Sequence, residues 1–139
     1  MNQCTTNKIH SKDCYPIRKK VLRPHQTVNQ VTFEQDDHAH SFHLGAFDKF
    51  NLIGVTSIIY DGTDTFRLRG MAILQEYQRQ GLGKLLLKKA IDLTPNNALL
   101  WCNARTHALE FYKSFGFEEV GSSFEVEHIG PHIRMQLEL

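Results

Sequence analysis

The pattern of apolar and polar positions along this chain predicts strands and helices that follow one another. Alternating or nearly continuous apolar runs, rich in β-branched and aromatic residues, are typical of strands. Such runs cover residues 41–47, 52–60, 65–74, 98–102, 117–126 and 132–139. Apolar residues spaced three and four apart predict helices over 14–22, 81–93 and 105–115. The order of elements indicates one mixed α/β domain with a strand–loop–helix unit at its centre.

Proline and glycine mark the breaks in this pattern. Pro16 suits the first turn of the first helix, where its missing N–H costs nothing, and Pro24 ends that helix. The polar stretch over residues 23–40 has little periodicity and predicts a loop with room for one helical turn. Gly70 interrupts the alternation of its strand, which predicts a bulge or a close backbone approach.

The composition fits a single soluble domain over residues 1–139. The hydrophobic fraction is 41% and the charged fraction 22%, both ordinary for a globular protein. A net charge of +1 gives no global field that would favour nucleic acid or an anionic membrane. No apolar run reaches the roughly 18 residues of a membrane span, and the N-terminus lacks the apolar stretch of a secretory signal. We therefore expect a cytoplasmic protein with neither nucleic acid nor membrane as partner.

The cysteines and histidines are possible metal ligands, but neither set has the required pattern. The cysteines are widely spaced and form no CxxC pair, so neither a zinc site nor a redox motif is indicated: Cys4, Cys14 and Cys102. His38, His40 and His43 follow two aspartates, but a catalytic zinc needs three ligands of consistent geometry. We predict no metal site.

The segment Gln78-Arg79-Gln80-Gly81-Leu82-Gly83 lies between a predicted strand and a predicted helix. The first N–H groups of a helix have no internal partner and lie at the positive end of its dipole. Gly81 and Gly83 have no Cβ, so a bulky anion such as a diphosphate can approach the backbone closely. Arg79 and Lys84 either add charge to this site or are simply solvated. The alternative is a glycine-rich helix entry without a ligand.

Two familiar nucleotide-binding loops do not fit this segment. A Walker loop needs a Ser or Thr after its lysine, whereas Lys84 is followed by Leu85. A Rossmann fingerprint needs a third glycine, and Leu86 stands at that position. An NTPase and a dinucleotide-binding enzyme are therefore disfavoured.

Longer motifs surround the loop. Residues 71–83 form an apolar strand, a short turn and Gln-x-x-Gly-x-Gly at a helix start. Residues 99–117 form a strand ending in Asn103, a helix with Ala-x-x-Phe-Tyr and a Gly-Phe stop. Together they resemble the two main motifs of the GNAT superfamily of N-acyltransferases, with Gln75 in place of the usual proline of the turn. The resemblance covers about residues 9–139 and implies a mixed, mostly antiparallel sheet flanked by helices, with a splayed central strand pair.

The resemblance implies acetyl-CoA as co-substrate and no metal. In the family, the N–H groups of the loop bind the CoA pyrophosphate, which here means Gln80, Gly81, Leu82, Gly83 and Lys84, with Gln78 and Arg79 ordering the loop entry. The preceding strand hydrogen-bonds the pantetheine through its backbone and stabilises the oxyanion, here at Met71, Ala72 and Ile73. Asn103 matches an asparagine that touches the pantetheine arm; the alternative is a helix cap or turn residue.

Two residues are candidates for proton transfer. Tyr112 matches the family tyrosine that hydrogen-bonds the CoA sulfur and protonates the leaving thiolate, although it would equally suit a core aromatic on the helix stripe. The central strand offers no carboxylate base. His132, after Pro131 at the start of the last strand, is the side-chain base candidate because imidazole accepts protons near neutral pH. Its alternative is an ordinary histidine at a strand end.

Three residues are candidates for acceptor binding. Arg67 and Arg69 alternate with Phe66 and Leu68, so they point to the opposite face of the strand. There they would face the acceptor cleft and bind a carboxylate or phosphate, or remain solvated cations. His43 would line the acceptor side if its strand runs beside the cleft.

The resemblance therefore implies an acetyl-CoA-dependent N-acetyltransferase. It would transfer the acetyl group directly, in a ternary complex, to a primary amine of an unidentified, small-molecule acceptor. The missing carboxylate base keeps a second hypothesis open, a non-catalytic acetyl-CoA- or CoA-binding sensor or interaction module of the same fold. Because the last two strands often support dimers in this family, a homodimer is a further expectation.

Overall fold

The sheet is the main element of the computed structural model, which describes residues 4–22, 24, 31–127 and 129–139. Within these residues seven strands form one sheet in the order β1-β2-β3-β4-β5-β7-β6. The strands are β1 (Cys4–Ile9), β2 (Phe42–Asp48), β3 (Asn51–Tyr60), β4 (Thr65–Ile73), β5 (Leu99–Arg105), β6 (Glu118–Val126) and β7 (Gly130–Glu138). Neighbours are antiparallel except β4 and β5, which are parallel. The expected mixed, mostly antiparallel sheet is confirmed.

The described helices flank this sheet. They are α1 (Ser11–Ile17), which continues as a π-helical segment (Arg18–Leu22), α2 (Leu82–Leu93) and α3 (Leu109–Lys113). Short 3₁₀ turns at Gln75–Tyr77 and Thr106–Ala108 precede α2 and α3. The predicted third helix is thus shorter, because its first turn is 3₁₀. In the described residues, no helix has both the length and the apolar character needed to cross a membrane.

The start of α1 corrects one prediction. The helix begins at Ser11, where the Asp13 carboxylate accepts a hydrogen bond from the His10 N–H at 3.0 Å. Pro16 therefore lies inside the helix and not in its first turn. An interior proline removes one helical hydrogen bond, and the chain continues beyond it as a π-helical segment.

The first strand has no counterpart in the sequence prediction. β1 is mostly polar and forms an edge of the sheet, pairing with β2 from Cys4↔Asp48 to Ile9↔His43. An edge strand needs little apolar surface of its own, so its pattern carries a weak signal.

The sheet has two differently covered faces. On the α2 face, Leu82, Leu86 and Ala90 pack against core residues that include Phe66 and Leu68 of β4. On the α1 face, Cys14 and Ile17 pack against Val55 and Ala72. Alternation along the strands therefore decides which side chains reach which helix.

The Gly70 bulge predicted from the sequence is confirmed. Val55 of β3 pairs with Ala72 and Ser57 pairs with Arg69, so Gly70 and Met71 together lie opposite Thr56. Gly70 has a φ of +70°, which favours glycine. The bulge lets β4 present Arg69 and Ala72 on the α1 face.

Candidate functional site

A wedge opens between the two parallel strands at the centre of the sheet. β4 and β5 pair only at Thr65↔Leu99, Phe66↔Leu100 and Arg67↔Trp101. Beyond that point β4 continues along β3, and β5 continues along β7 as far as Arg105. The strands therefore diverge, and we call the gap beyond Arg67 and Trp101 the wedge.

The N-terminus of α2 lies near the open end of the wedge. Arg79 and Gly81 both adopt positive φ, +63° and +84°, which turns the chain sharply into the helix. The N–H of Leu85 bonds to the Gly81 carbonyl at 3.1 Å, so the amides of residues 82–84 precede the helical ladder. A Cβ at Gly81 would meet no atom within 4 Å, so the loop is open above the backbone.

Side chains join the loop to β4 and α3. The Gln78 side-chain amide donates to the Ile73 carbonyl at 2.9 Å and ties the loop entry to the end of β4. A Cβ at Gly83 would lie 3.6 Å from Met71 Sδ and from the Phe111 ring. Met71, the α2 N-terminus and α3 therefore meet beside the wedge. Lys84 is exposed on the first turn of α2.

Tyr112 of α3 packs beside β5. Its ring makes edge contacts with Phe111 and Phe117, at centroid distances of 5.1 and 5.5 Å. Burial raises the pKa of the Tyr112 hydroxyl, with a further rise from nearby Cys102 and an opposing effect of Arg105. No described residue forms a hydrogen bond with this hydroxyl. The hydroxyl is therefore protonated at neutral pH, and burial makes it a weaker acid than an exposed tyrosine.

Asn103 and His132 lie on the α1 face, on neighbouring strands. Asn103 lies opposite Arg134 in the β5–β7 register, and His132 lies opposite Arg105. His132 Nδ1 lies 2.9 Å from the Gly130 carbonyl, which only accepts, so Nδ1 is the protonated nitrogen of the neutral ring and its lone pair is on Nε2. The ring stacks on Phe124 at 6.1 Å.

Arginines surround a tryptophan on the same face. The guanidiniums of Arg67 and Arg134 lie 4.8 and 4.1 Å from the Trp101 ring centroid. Arg69 lies 3.9 Å from the ring of Phe33. We call Arg67, Arg69, Trp101 and Arg134 the arginine face.

His43 is separated from the arginine face in a buried polar cluster. This cluster consists of four residues: Asp36, Arg18, His43 and Ser57. The sequence interpretation missed it. Arg18 donates to both Asp36 carboxylate oxygens at 2.8 Å and to Ser57 Oγ at 2.8 Å. His43 Nδ1 lies 2.7 Å from Ser57 Oγ, and Nε2 lies 2.8 Å from the Asp36 carbonyl.

The two histidines just before β2, His38 and His40, contact Tyr60 and each other. His38 stacks on Tyr60 at 4.3 Å, and its Nδ1 accepts from the His40 N–H. Among residues 4–22, 24, 31–127 and 129–139, no three His, Cys, Asp or Glu side chains come together in a way that could hold a metal ion.

Comparison with known proteins gives the family. Residues 8–139 match the family described as acetyltransferase (GNAT) domain. The chain belongs to the GNAT acetyltransferase family. A relative from Bacillus subtilis (strain 168), the uncharacterized N-acetyltransferase YitI, is 37% identical over 91% of this chain and 91% of its own length.

Solved structures agree with this GNAT fold. Escherichia coli ElaA superposes with a TM-score of 0.82 at 18% identity, covering 98% of this chain and 100% of its own. An aminoglycoside 6′-N-acetyltransferase complexed with coenzyme A has a TM-score of 0.74 at 13% identity, with 96% of each chain covered. At such identities the likeness concerns the fold. The activity of this family is acyl transfer.

Proposed function

We propose that this GNAT protein transfers an acetyl group from acetyl-CoA to a primary amine of a small-molecule acceptor. The observation that carries the proposal is the wedge, which opens beside α2 amides that have no helical partner. The open space above Gly81 suits a diphosphate. A CoA-bound aminoglycoside acetyltransferase of the same fold supports this choice of donor.

In this proposal acetyl-CoA supplies an activated thioester, and the chain positions it. The amides of Gln80 to Lys84 bind the pyrophosphate, and Gln78 and Arg79 hold the loop in shape. The backbone of Met71, Ala72 and Ile73 pairs with the pantetheine arm, and an N–H of this strand stabilises the oxyanion. Asn103, on the other wall of the wedge, contacts the same arm.

Proton transfer is divided between two side chains. His132 Nε2 takes the proton of the attacking amine, because its lone pair is available. The amine nitrogen bonds to the thioester carbon, the carbon–sulfur bond breaks, and Tyr112 gives its proton to the departing thiolate. The Tyr112 hydroxyl carries its proton at neutral pH, and a lower polarity around the bound thioester would favour the neutral thiol over the thiolate that accepts this proton.

The acceptor enters from the α1 face. Arg67 and Arg69 lie on that face, on the opposite side of β4 from the core residues Phe66 and Leu68. In this proposal His43 does not contact the acceptor directly, because both its ring nitrogens already have protein partners.

The test is a Tyr112→Phe variant assayed for release of the CoA thiol with an amine that the wild type acetylates. Loss of a general acid should lower kcat by about a hundredfold. The KM for acetyl-CoA and the urea midpoint should stay close to wild type, because the ring packing is kept. Tyr60→Phe, which removes the hydroxyl of a ring stacked on His38, is the matched control and should keep its kcat.

One outcome would contradict the role of Tyr112, and another would contradict acetyl transfer itself. An unchanged kcat in Tyr112→Phe would remove the acid role. Tight binding of acetyl-CoA by calorimetry, without thiol release on a broad panel of amines, would instead favour a CoA-binding sensor.

A further inference from the structure

Trp101 brings two arginines together at the apex of the wedge. Arg67 comes from β4 and Arg134 from β7, the two strands that flank β5. Their guanidiniums lie 4.8 and 4.1 Å from the indole centroid. Stacking on an aromatic ring orients a guanidinium while leaving its N–H edge available for other partners.

Neither of these guanidiniums forms an ion pair with a described residue. Arg67 is half-buried, and its Nε–H has no hydrogen-bond partner. The nearby carboxylate of Asp61 accepts a hydrogen bond from Trp101 Nε1 at 2.8 Å. A buried N–H without a partner is costly, and because the Nε atom itself is covered, a ligand would contact this guanidinium through its Nη groups.

The charges point to the same kind of ligand. Burial lowers the pKa of Arg67, Asp61 raises it, and Arg134 lowers it further by repulsion. The two cations contact the same ring and interact electrostatically, so both attract an anion placed beside Trp101, and a half-buried position strengthens that attraction over the value in water.

The location separates this anion from the CoA phosphates. Arg67 and Trp101 form the last paired rung before the wedge opens. Both lie on the face opposite the α2 core residues Phe66 and Leu68. An anion there would sit at the wedge apex, on the other side of the sheet from the α2 N-terminus.

We propose that Arg67 and Arg134 bind an anionic group of the acceptor, a carboxylate or a phosphate, and so direct its amine into the wedge. This substrate class rests on the acetyl transfer proposed above. Guanidiniums suit both groups because their N–H forks can bind two oxygens at once.

Trp101 is the only tryptophan of the chain, so its fluorescence reports on this site without turnover. Wild-type protein is titrated with sodium acetate and with sodium phosphate, each against sodium chloride at equal ionic strength. At least one of the two anions should give a saturable change that chloride does not. Arg134→Gln should weaken that response about tenfold, as expected for the loss of a charged hydrogen bond. Lys88→Gln removes an exposed cation on α2 and should leave it unchanged.

Turnover with matched amines then identifies the source of the anion. The pairs are 4-aminobutyrate with 4-aminobutanamide, and phosphoethanolamine with ethanolamine. The charged member of at least one pair should have the higher kcat/KM. Arg134→Gln should raise KM for that member alone and leave KM for acetyl-CoA unchanged.

The two proposals fail in different ways. Wild-type fluorescence that responds to acetate and phosphate no more than to chloride overturns the anion site, and this measurement needs no variant. Turnover without preference for a charged member, or an equal loss for both members in Arg134→Gln, overturns it as well. A saturable fluorescence response without turnover of any amine contradicts acetyl transfer and leaves the anion site standing.

Discussion

Arg18 and Arg67 both lie on the α1 face of the sheet, and the Nε–H of each has no hydrogen-bond partner among the described residues, but only Arg18 has a carboxylate partner. Arg18 is 1% exposed, and its guanidinium bonds to the carboxylate of Asp36, the hydroxyl of Ser57 and the carbonyl of Val31. Arg67 is half-buried and contacts the ring of Trp101 without a carboxylate partner. A buried charge needs its partners to fold, whereas a partly exposed charge without one keeps its capacity for a ligand.

Phe33 connects these two regions. Its ring lies 3.8 Å from the Arg18 guanidinium and 3.9 Å from that of Arg69. The Phe33 N–H also donates to the Asp36 carboxylate at 2.8 Å. The buried cluster thus fixes the ring against which one residue of the arginine face packs.

The largest effect is expected where the buried pair is broken. Arg18→Met leaves the Asp36 carboxylate buried without its cation, which should lower the free energy of unfolding by about 3–5 kcal/mol. Urea unfolding followed by circular dichroism measures it. The double variant Arg18→Met/Asp36→Leu should recover part of the loss, because no unpaired charge remains.

An exposed ion pair provides the control for Arg18→Met. Lys113 Nζ lies 2.6 Å from Glu119 Oε2, with both side chains well exposed. Lys113→Met should leave the unfolding curve unchanged, since solvent screens such a pair. If Arg18→Met also unfolded like the wild type, the buried pair would not be what stabilises this region.

The sequence was informative where the signal is local. The loop from Gln78 to Gly83, the Gly70 bulge and the alternation of Arg67 with Phe66 are each readable within a few residues. Motifs of this kind also led to the family. They depend on glycine geometry and on strand periodicity, which act over short stretches of chain.

The rest depends on contacts between distant parts of the chain. Arg18 reaches Asp36 and Ser57, at separations of 18 and 39 residues, and no periodicity pairs them. Arg134 reaches Trp101 only through the β5–β7 register, which the sequence does not specify. The prediction for His43 depended on its strand running beside the cleft, and strand order, which places β3 between that strand and β4, is not specified by the local sequence.

A smaller effect is expected at the point where the cluster and the wedge meet. A Cβ at Gly70 would lie 2.6 Å from Phe33 Cε2, and Phe33 is held between two guanidiniums. Gly70→Ala should lower the free energy of unfolding by about 1–2 kcal/mol through its left-handed φ, and by roughly 1 kcal/mol more through displacement of the ring. Thermal and urea unfolding measure the total.

Gly121→Ala separates these two causes. Gly121 has a similar φ of +77°, but a Cβ there would meet nothing within 4 Å. It should therefore show the backbone cost alone. Equal destabilisation of the two variants would mean that the Phe33 ring moves aside without lowering the free energy of unfolding. The cluster would then not fix the position of this ring.

The smallest effect concerns the protonation of His43 in the buried cluster. Burial lowers the pKa of His43 below its ordinary value of 6.5, and the nearby Arg18 lowers it further, while Asp36 and Asp37 oppose the change. His43 Nε2 faces the Asp36 carbonyl, which only accepts, so Nε2 carries a proton, and in the neutral ring Nδ1 accepts from the Ser57 hydroxyl. Because the unfolded chain binds the proton more readily, stability should be full above pH 6.5 and fall as the pH drops below it.

His43→Gln tests this effect when the pH dependence of its unfolding free energy is compared with that of the wild type. One titrating group changes the unfolding free energy by at most about 1.4 kcal/mol per pH unit, so the effect is modest. Urea unfolding between pH 7.5 and 5.0 should show a smaller loss of stability on acidification for His43→Gln than for the wild type. His107→Gln, at an exposed position, should retain the wild-type slope. A His43→Gln profile parallel to that of the wild type would show that the ring tolerates protonation in place. The hydrogen bonds of His43 would then not require one protonation state. The contrast between the buried cluster and the arginine face would depend on the Arg18–Asp36 ion pair alone.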